Sequence, residues 1–191
     1  RLTLKYCSLN QANMNKIRII TFFAFLVIFT GIFQLGSMST VSEEEAALFM
    51  EEFEKLVLDI DAFGIFVHNT TIALPMFIPG FGIFWGLFSS WSTGYAFAAI
   101  ATSIPEIANI SPLSILFLSP FGLMEISSYS LAISRSFILI NAIITKTNLS
   151  QFIKPTIIEI GIVILLLLAG GYVEFYMIEL VQNETIEMPG L

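Results

Sequence analysis

Ser111-Pro-Leu-Ser-Ile-Leu-Phe-Leu-Ser-Pro-Phe-Gly-Leu-Met-Glu-Ile-Ser-Ser-Tyr-Ser-Leu-Ala-Ile-Ser-Arg135 decides the fold. The run is apolar enough to enter a bilayer, yet it holds Pro120, Gly122, Glu125 and Arg135. Lipid supplies no hydrogen bonds to an opened backbone or a carboxylate, so neighbouring helices must. The stretch therefore predicts an all-α, polytopic membrane helix bundle, with the other segments as its surroundings.

Composition agrees. Of 191 residues, 56% are hydrophobic and 12% charged, with a mean hydropathy of +0.86. Soluble domains carry about 25% charged residues. One cysteine and one histidine cannot make an intrachain disulfide or a Cys/His metal cluster. The net charge is -7 and no basic face appears, which excludes a nucleic-acid partner. No glycine-rich phosphate loop or nucleophile motif is present, so neither a cofactor nor an enzymatic role is expected. A Ser89, His68, Glu125 triad can be written on paper, but nothing frames any of the three for nucleophilic catalysis.

Outward from the opening stretch, five spans are expected, at about 17–36, 62–78, 81–103, 112–141 and 156–178. Residues 1–16 read as a cytoplasmic tail, of which 1–13, ahead of Met14, are assigned no role. The first apolar core exceeds the ~7–15 residues of a signal peptide and lacks an Ala-x-Ala site, so a retained helix is expected. Pro79-Gly80 makes a tight connection between the second and third spans. Along the third, Gly82, Gly86, Ser90, Gly94, Ala98 and Thr102 draw a small-residue ridge that lets helices approach closely in lipid. This ridge belongs in the bundle or in a subunit interface, and its flank of Ser89, Ser92 and Thr93 suits a narrow water path as well. The fourth span, at thirty residues and ~45 Å, is too long for a ~30 Å core and should break or kink at Ser119-Pro120-Phe121-Gly122. Pro155 followed by Thr156-Ile-Ile-Glu159 reads as a capping box that opens the fifth.

Between the first two spans, Ser42 and Glu45 form a capping box at the head of an amphipathic helix over 42–61. Phe49, Phe53, Leu56 and Ile60 share one face, while Glu51, Glu52, Glu54 and Asp59 take others. That acidic side is either a solvated cover or a docking face for a protein partner. Lys5, Lys16, Arg18, Lys146 and Lys154 fall at one end of the bundle. Glu43 to Asp61, Glu106 and the acidic tail over 179–191 fall at the other. The positive-inside rule then sets the N-terminus cytoplasmic and the C-terminus outside. Asn109-Ile-Ser and Asn183-Glu-Thr are glycosylation sequons on that outer side.

Glu125 lies about thirteen residues into the fourth span, near mid-bilayer, where an unpaired carboxylate costs at least ~2.5 kcal/mol. Arg135 is ~15 Å further along the same helix and on another face, which leaves His68, Asn69 or the backbone at Pro120 as partners. Glu125 is then either an ion or proton site or a hydrogen-bonded strut at the kink.

Asn69, Gly94 and the Pro120-Phe-Gly-Leu-Met-Glu125 run resemble the stage II sporulation protein M family of polytopic membrane proteins. That family carries an asparagine early in one span, an Asn-Gly in the next, and a Pro-His-Gly followed by a glutamate in the third. Asn69, Gly94, Pro120, Gly122 and Glu125 stand at matching positions, with Thr93 and Phe121 replacing the asparagine and histidine. The resemblance implies a membrane scaffold or assembly subunit that organises a membrane or extracytoplasmic protein partner, with a homo-oligomer left open. A small transporter using Glu125 is the alternative.

Overall fold

The computed structural model describes the backbone of residues 2–57 and 60–186 and the side chains of 15–55, 60–104 and 107–180, and every regular element among them is helical. In order these are α1 (Leu2–Ser37), α2 (Glu43–Val57), α3 (Ala62–Ala73) continued by a 3-10 turn (Leu74–Phe77), α4 (Phe81–Ser103), the single turn α5 (Pro105–Ala108), α6 (Pro112–Leu118), α7 (Pro120–Ile144) and α8 (Ser150–Ile186). Among the described residues, three stretches are long and apolar enough to cross a membrane: Asn15–Ser37, Pro120–Ile144 and Ser150–Leu180. Their outward faces carry exposed Phe23, Val27 and Leu165, as lipid contact requires, while Phe29, Met76, Ile126, Ile133, Val163 and Leu167 close the interior.

Glycines set how near the helices come. On α4, Gly82, Gly86, Ser90, Gly94 and Ala98 are buried, whereas Thr102, expected in the same ridge, is exposed. A Cβ on Gly94 would strike the Phe33 carbonyl of α1, and one on Gly36 would strike the Trp91 carbonyl of α4. Ser90 Oγ donates to the Phe29 carbonyl at 2.6 Å across the same seam. Ser89 and Thr93 instead donate back to carbonyls of their own helix, those of Trp85 and Ser89. At the other side, Gly171 of α8 lies against the backbone of Ala62 and Phe66 on α3.

The α3–α4 connection is fastened from α7. Gly80 adopts φ +78°, which a side chain resists, and its N–H donates to Ser136 Oγ at 3.0 Å. Ser136 Oγ in turn donates to the Ile78 carbonyl at 2.6 Å.

The stretch over 112–141, expected as a fourth span with a break, is two helices, α6 and α7. Pro120 lacks the N–H that would continue α6, so Ser119 turns to extended backbone and N-caps α7, its Oγ accepting from Gly122 N–H at 3.2 Å. A Cβ on Gly122 would lie 2.5 Å from the Leu116 carbonyl, so only glycine lets α7 start so close to α6. Glu125 is thereby moved from mid-span to the second turn of α7.

The Ser42–Glu45 box forms as its spacing predicts, with Ser42 N–H donating to Glu45 Oε2 at 3.0 Å and Glu45 N–H to Ser42 Oγ at 3.3 Å. The Ser42 backbone and hydroxyl hold the Glu45 carboxyl below its ordinary value. The cap therefore persists at neutral pH and fails as acid protonates that carboxylate. α2 is described over Glu43–Val57, and Asp61, expected at its end, lies outside it and instead caps α3, accepting from Gly64 N–H at 2.7 Å. The expected box at Thr156 does not form. α8 begins at Ser150, whose N–H donates to Asn148 Oδ1 at 3.0 Å, and Pro155 lies inside the helix. Thr156 Oγ1 bonds back to the Phe152 carbonyl at 2.7 Å, which leaves Glu159 for another task.

Candidate functional site

Two polar clusters occupy opposite halves of the bundle, ten residues and ~15 Å apart along α7. The first is built on Glu125. Among the partners the sequence allowed, the structure brings Asn69, buried on α3: its Nδ2 donates to Glu125 Oε1 of α7 at 2.5 Å. His68, one residue earlier and so about 100° around α3, is exposed and takes no part. Glu174 of α8, which the sequence reading did not single out, interacts electrostatically with both Glu125 and buried Tyr129. Thr70 Oγ1, beside Asn69 in the chain, is buried without a hydrogen-bond partner among the described residues. Pro120 and Gly122 set where α7 begins, one turn before Glu125, while Gly94 belongs to the α1–α4 seam. Two carboxylates and a primary amide in a low-dielectric interior have the chemistry to share a proton or hold a small cation. Among the described residues no three His, Cys, Asp or Glu side chains gather to hold a metal ion.

The second cluster joins α1, α7 and α8. Glu159, expected as a helix cap, is clasped by two guanidinium groups. Arg18 reaches it through Nε at 2.6 Å and Nη2 at 2.8 Å, and Arg135 through Nε at 2.8 Å and through Nη2. Arg18 also donates from Nη1 to Ser134 Oγ at 2.6 Å and from Nη2 to the Leu131 carbonyl at 3.0 Å. Side-chain exposure is 5% for Arg135, 12% for Glu159 and 16% for Arg18, so all three are largely withdrawn from solvent. Arg18, read from the sequence as a cytoplasmic charge, is thus an interior group. These contacts bring together the N-terminal ends of the α1 and α8 spans and the C-terminal half of α7.

At the opposite end α2 rests on α4. Val41, Ala46, Ala98 and Ala99 are buried together with Phe49 and Tyr95 against them, and Phe49 stacks on Phe53 at 5.8 Å. Glu51, Glu52 and Glu54 are exposed, with Glu51 paired to Lys55 at 2.7 Å in a solvated contact of little energetic weight. Asp59, expected on the same face, lies outside the described residues.

No family model, curated protein or solved structure matches the chain.

Proposed function

We propose that this chain is a non-catalytic, five-span membrane scaffold, similar in role to the stage II sporulation protein M family, which presents α2 to an extracytoplasmic protein partner. In this reading α3 with its 3-10 extension, about 26 Å long, and α4, about 35 Å long, join the three apolar spans in crossing a ~30 Å core. The observation that carries it is the two-sided character of α2: an apolar face spent on α4 and an exposed row of Glu51, Glu52 and Glu54 with nothing of the bundle against it. The interior charges Arg18, Arg135 and Glu159 bind one another, which suits a rigid support. The positive-inside rule turns Lys16, Lys146 and Lys154 to the cytoplasm and α2 outwards.

Affinity purification from native membranes in mild detergent should recover one stoichiometric partner with the wild type and lose it with Glu51→Gln/Glu52→Gln/Glu54→Gln. Labelling intact cells beforehand with an impermeant amine reagent should modify Lys55 and spare Lys146 and Lys154. Equal recovery from the two proteins, or the reverse labelling, rejects the scaffold as drawn.

The Asn69–Glu125–Glu174 group favours a second reading, a proton or cation pathway through the bundle. Under it, acid-driven flux into proteoliposomes should fall at least tenfold in Glu125→Gln. Wild-type vesicles no leakier than protein-free ones would remove that reading.

A further inference from the structure

The Arg18–Glu159–Arg135 cluster carries two positive charges and one negative, so one buried positive charge has no counterion within it. Leaving a charge uncompensated away from water is costly. A cavity of about 290 Å³ opens beside it, lined by all three side chains. At ~30 Å³ per water, that is room for about ten waters or for a group of headgroup size. Arg135 commits Nε and Nη2 to Glu159, which leaves Nη1 with no protein partner among the described residues. Neutral donors complete the lining: the amides of Asn141 and Gln151 and the Thr147 hydroxyl, all on exposed residues at the cavity mouth. Phe152 and Pro155 add an apolar wall. Lys16, Lys146 and Lys154 are exposed neighbours in sequence of lining residues, which gives the mouth a positive field.

We propose that this cavity binds a phosphate group, carried by a phospholipid headgroup or as free phosphate, with Arg135 as its principal ligand. Arg135 Nη1 keeps N–H groups for the phosphate oxygens as charge-assisted donors, and the amides and hydroxyl reach the others. The charge of the anion completes the neutralisation that Glu159 begins. The apolar wall beside the charged floor matches an ester-linked headgroup at the end of the membrane span, and the open mouth admits the free ion as well.

Thermal unfolding of the detergent-purified full chain tests the site. Phosphate is titrated at constant ionic strength against chloride, and phosphatidylglycerol is titrated separately against phosphatidylcholine in mixed micelles. A saturable rise in the unfolding midpoint with phosphate alone identifies the free ion, with phosphatidylglycerol alone the lipid headgroup, and with both a site open to either. Asn141→Asp/Gln151→Glu sets two carboxylates at the mouth without touching the cluster, and should weaken the effective ligand at least tenfold. Thr147→Glu, on an exposed loop, repeats the test if that variant is not recovered. Two results overturn the proposal: no saturable shift with either ligand, or wild-type affinity in the mouth variants.

Discussion

Glu159→Gln is expected to cost about 3–5 kcal/mol of folding free energy, the range for removing one partner of a buried ion pair. The expected result is largely unfolded protein in detergents that preserve the wild type. The carboxylate accepts from both arginines at once, so its loss strands two guanidinium groups between α1, α7 and α8. Arg18→Met should cost markedly less, because Arg135 and Glu159 remain as a neutral pair. Arg18→Met/Arg135→Met/Glu159→Leu should recover much of the loss, since an apolar set of similar volume carries no desolvation penalty. Reversible unfolding in mixed micelles reads all three variants. If Glu159→Gln lies within ~1 kcal/mol of wild type, or Arg18→Met is the worse variant, the charge balance argued for this cluster is wrong.

Signals local to the chain were legible in the sequence. The Ser42–Glu45 box, the break before Pro120 and the turn at Pro79-Gly80 each depend on a few adjacent residues, and each forms; the four-residue spacing on α4 marks its buried face from Gly82 to Ala98 and fails at Thr102. What depends on helices meeting was harder to read. Thr156 to Glu159 has the spacing of a capping box, but α8 starts six residues earlier and tertiary pairing claims Glu159. A usable signal did exist. Arg135 stands ten residues before Thr145 and Glu159 ten after Leu149, so two antiparallel helices joined across 145–149 bring those charges level. Arg18 had no comparable marker, because its place at the head of an apolar run fits a cytoplasmic flank equally well. Glu125 found Asn69 and not His68 because neighbouring helical positions point about 100° apart, and only the packing of α3 against α7 and α8 decides which faces inwards. Glu174 has no local marker either: it follows Gly170-Gly171 near the end of an apolar run, where the sequence does not separate it from the acidic tail.

Gly94→Val is expected to cost about 3 kcal/mol, the upper part of the range for overpacking a filled interior. The added Cβ would collide with the Phe33 carbonyl and stand 2.8 Å from the Ser37 nitrogen. Both are backbone atoms of α1 and have no rotamer by which to move aside. Relief requires α1 and α4 to separate, which also pulls the Trp91 carbonyl from Gly36 and breaks the 2.6 Å bond from Ser90 Oγ to Phe29. Close approach is the main attraction available to helices in lipid, where no hydrophobic effect drives them together, so losing contact along the seam is not offset elsewhere. Gly31→Val is the matched control on α1: that glycine is exposed and a Cβ there meets nothing within 4 Å. Its cost should stay within ~0.5 kcal/mol, as for other substitutions away from packed sites. Unfolding both variants in the same micelles isolates the collision from the general effect of a β-branched residue in a helix. Equal losses would mean that α1 and α4 do not meet through Gly94. A large loss confined to Gly94→Val would establish the seam on which α2 is mounted through Ala98 and Ala99.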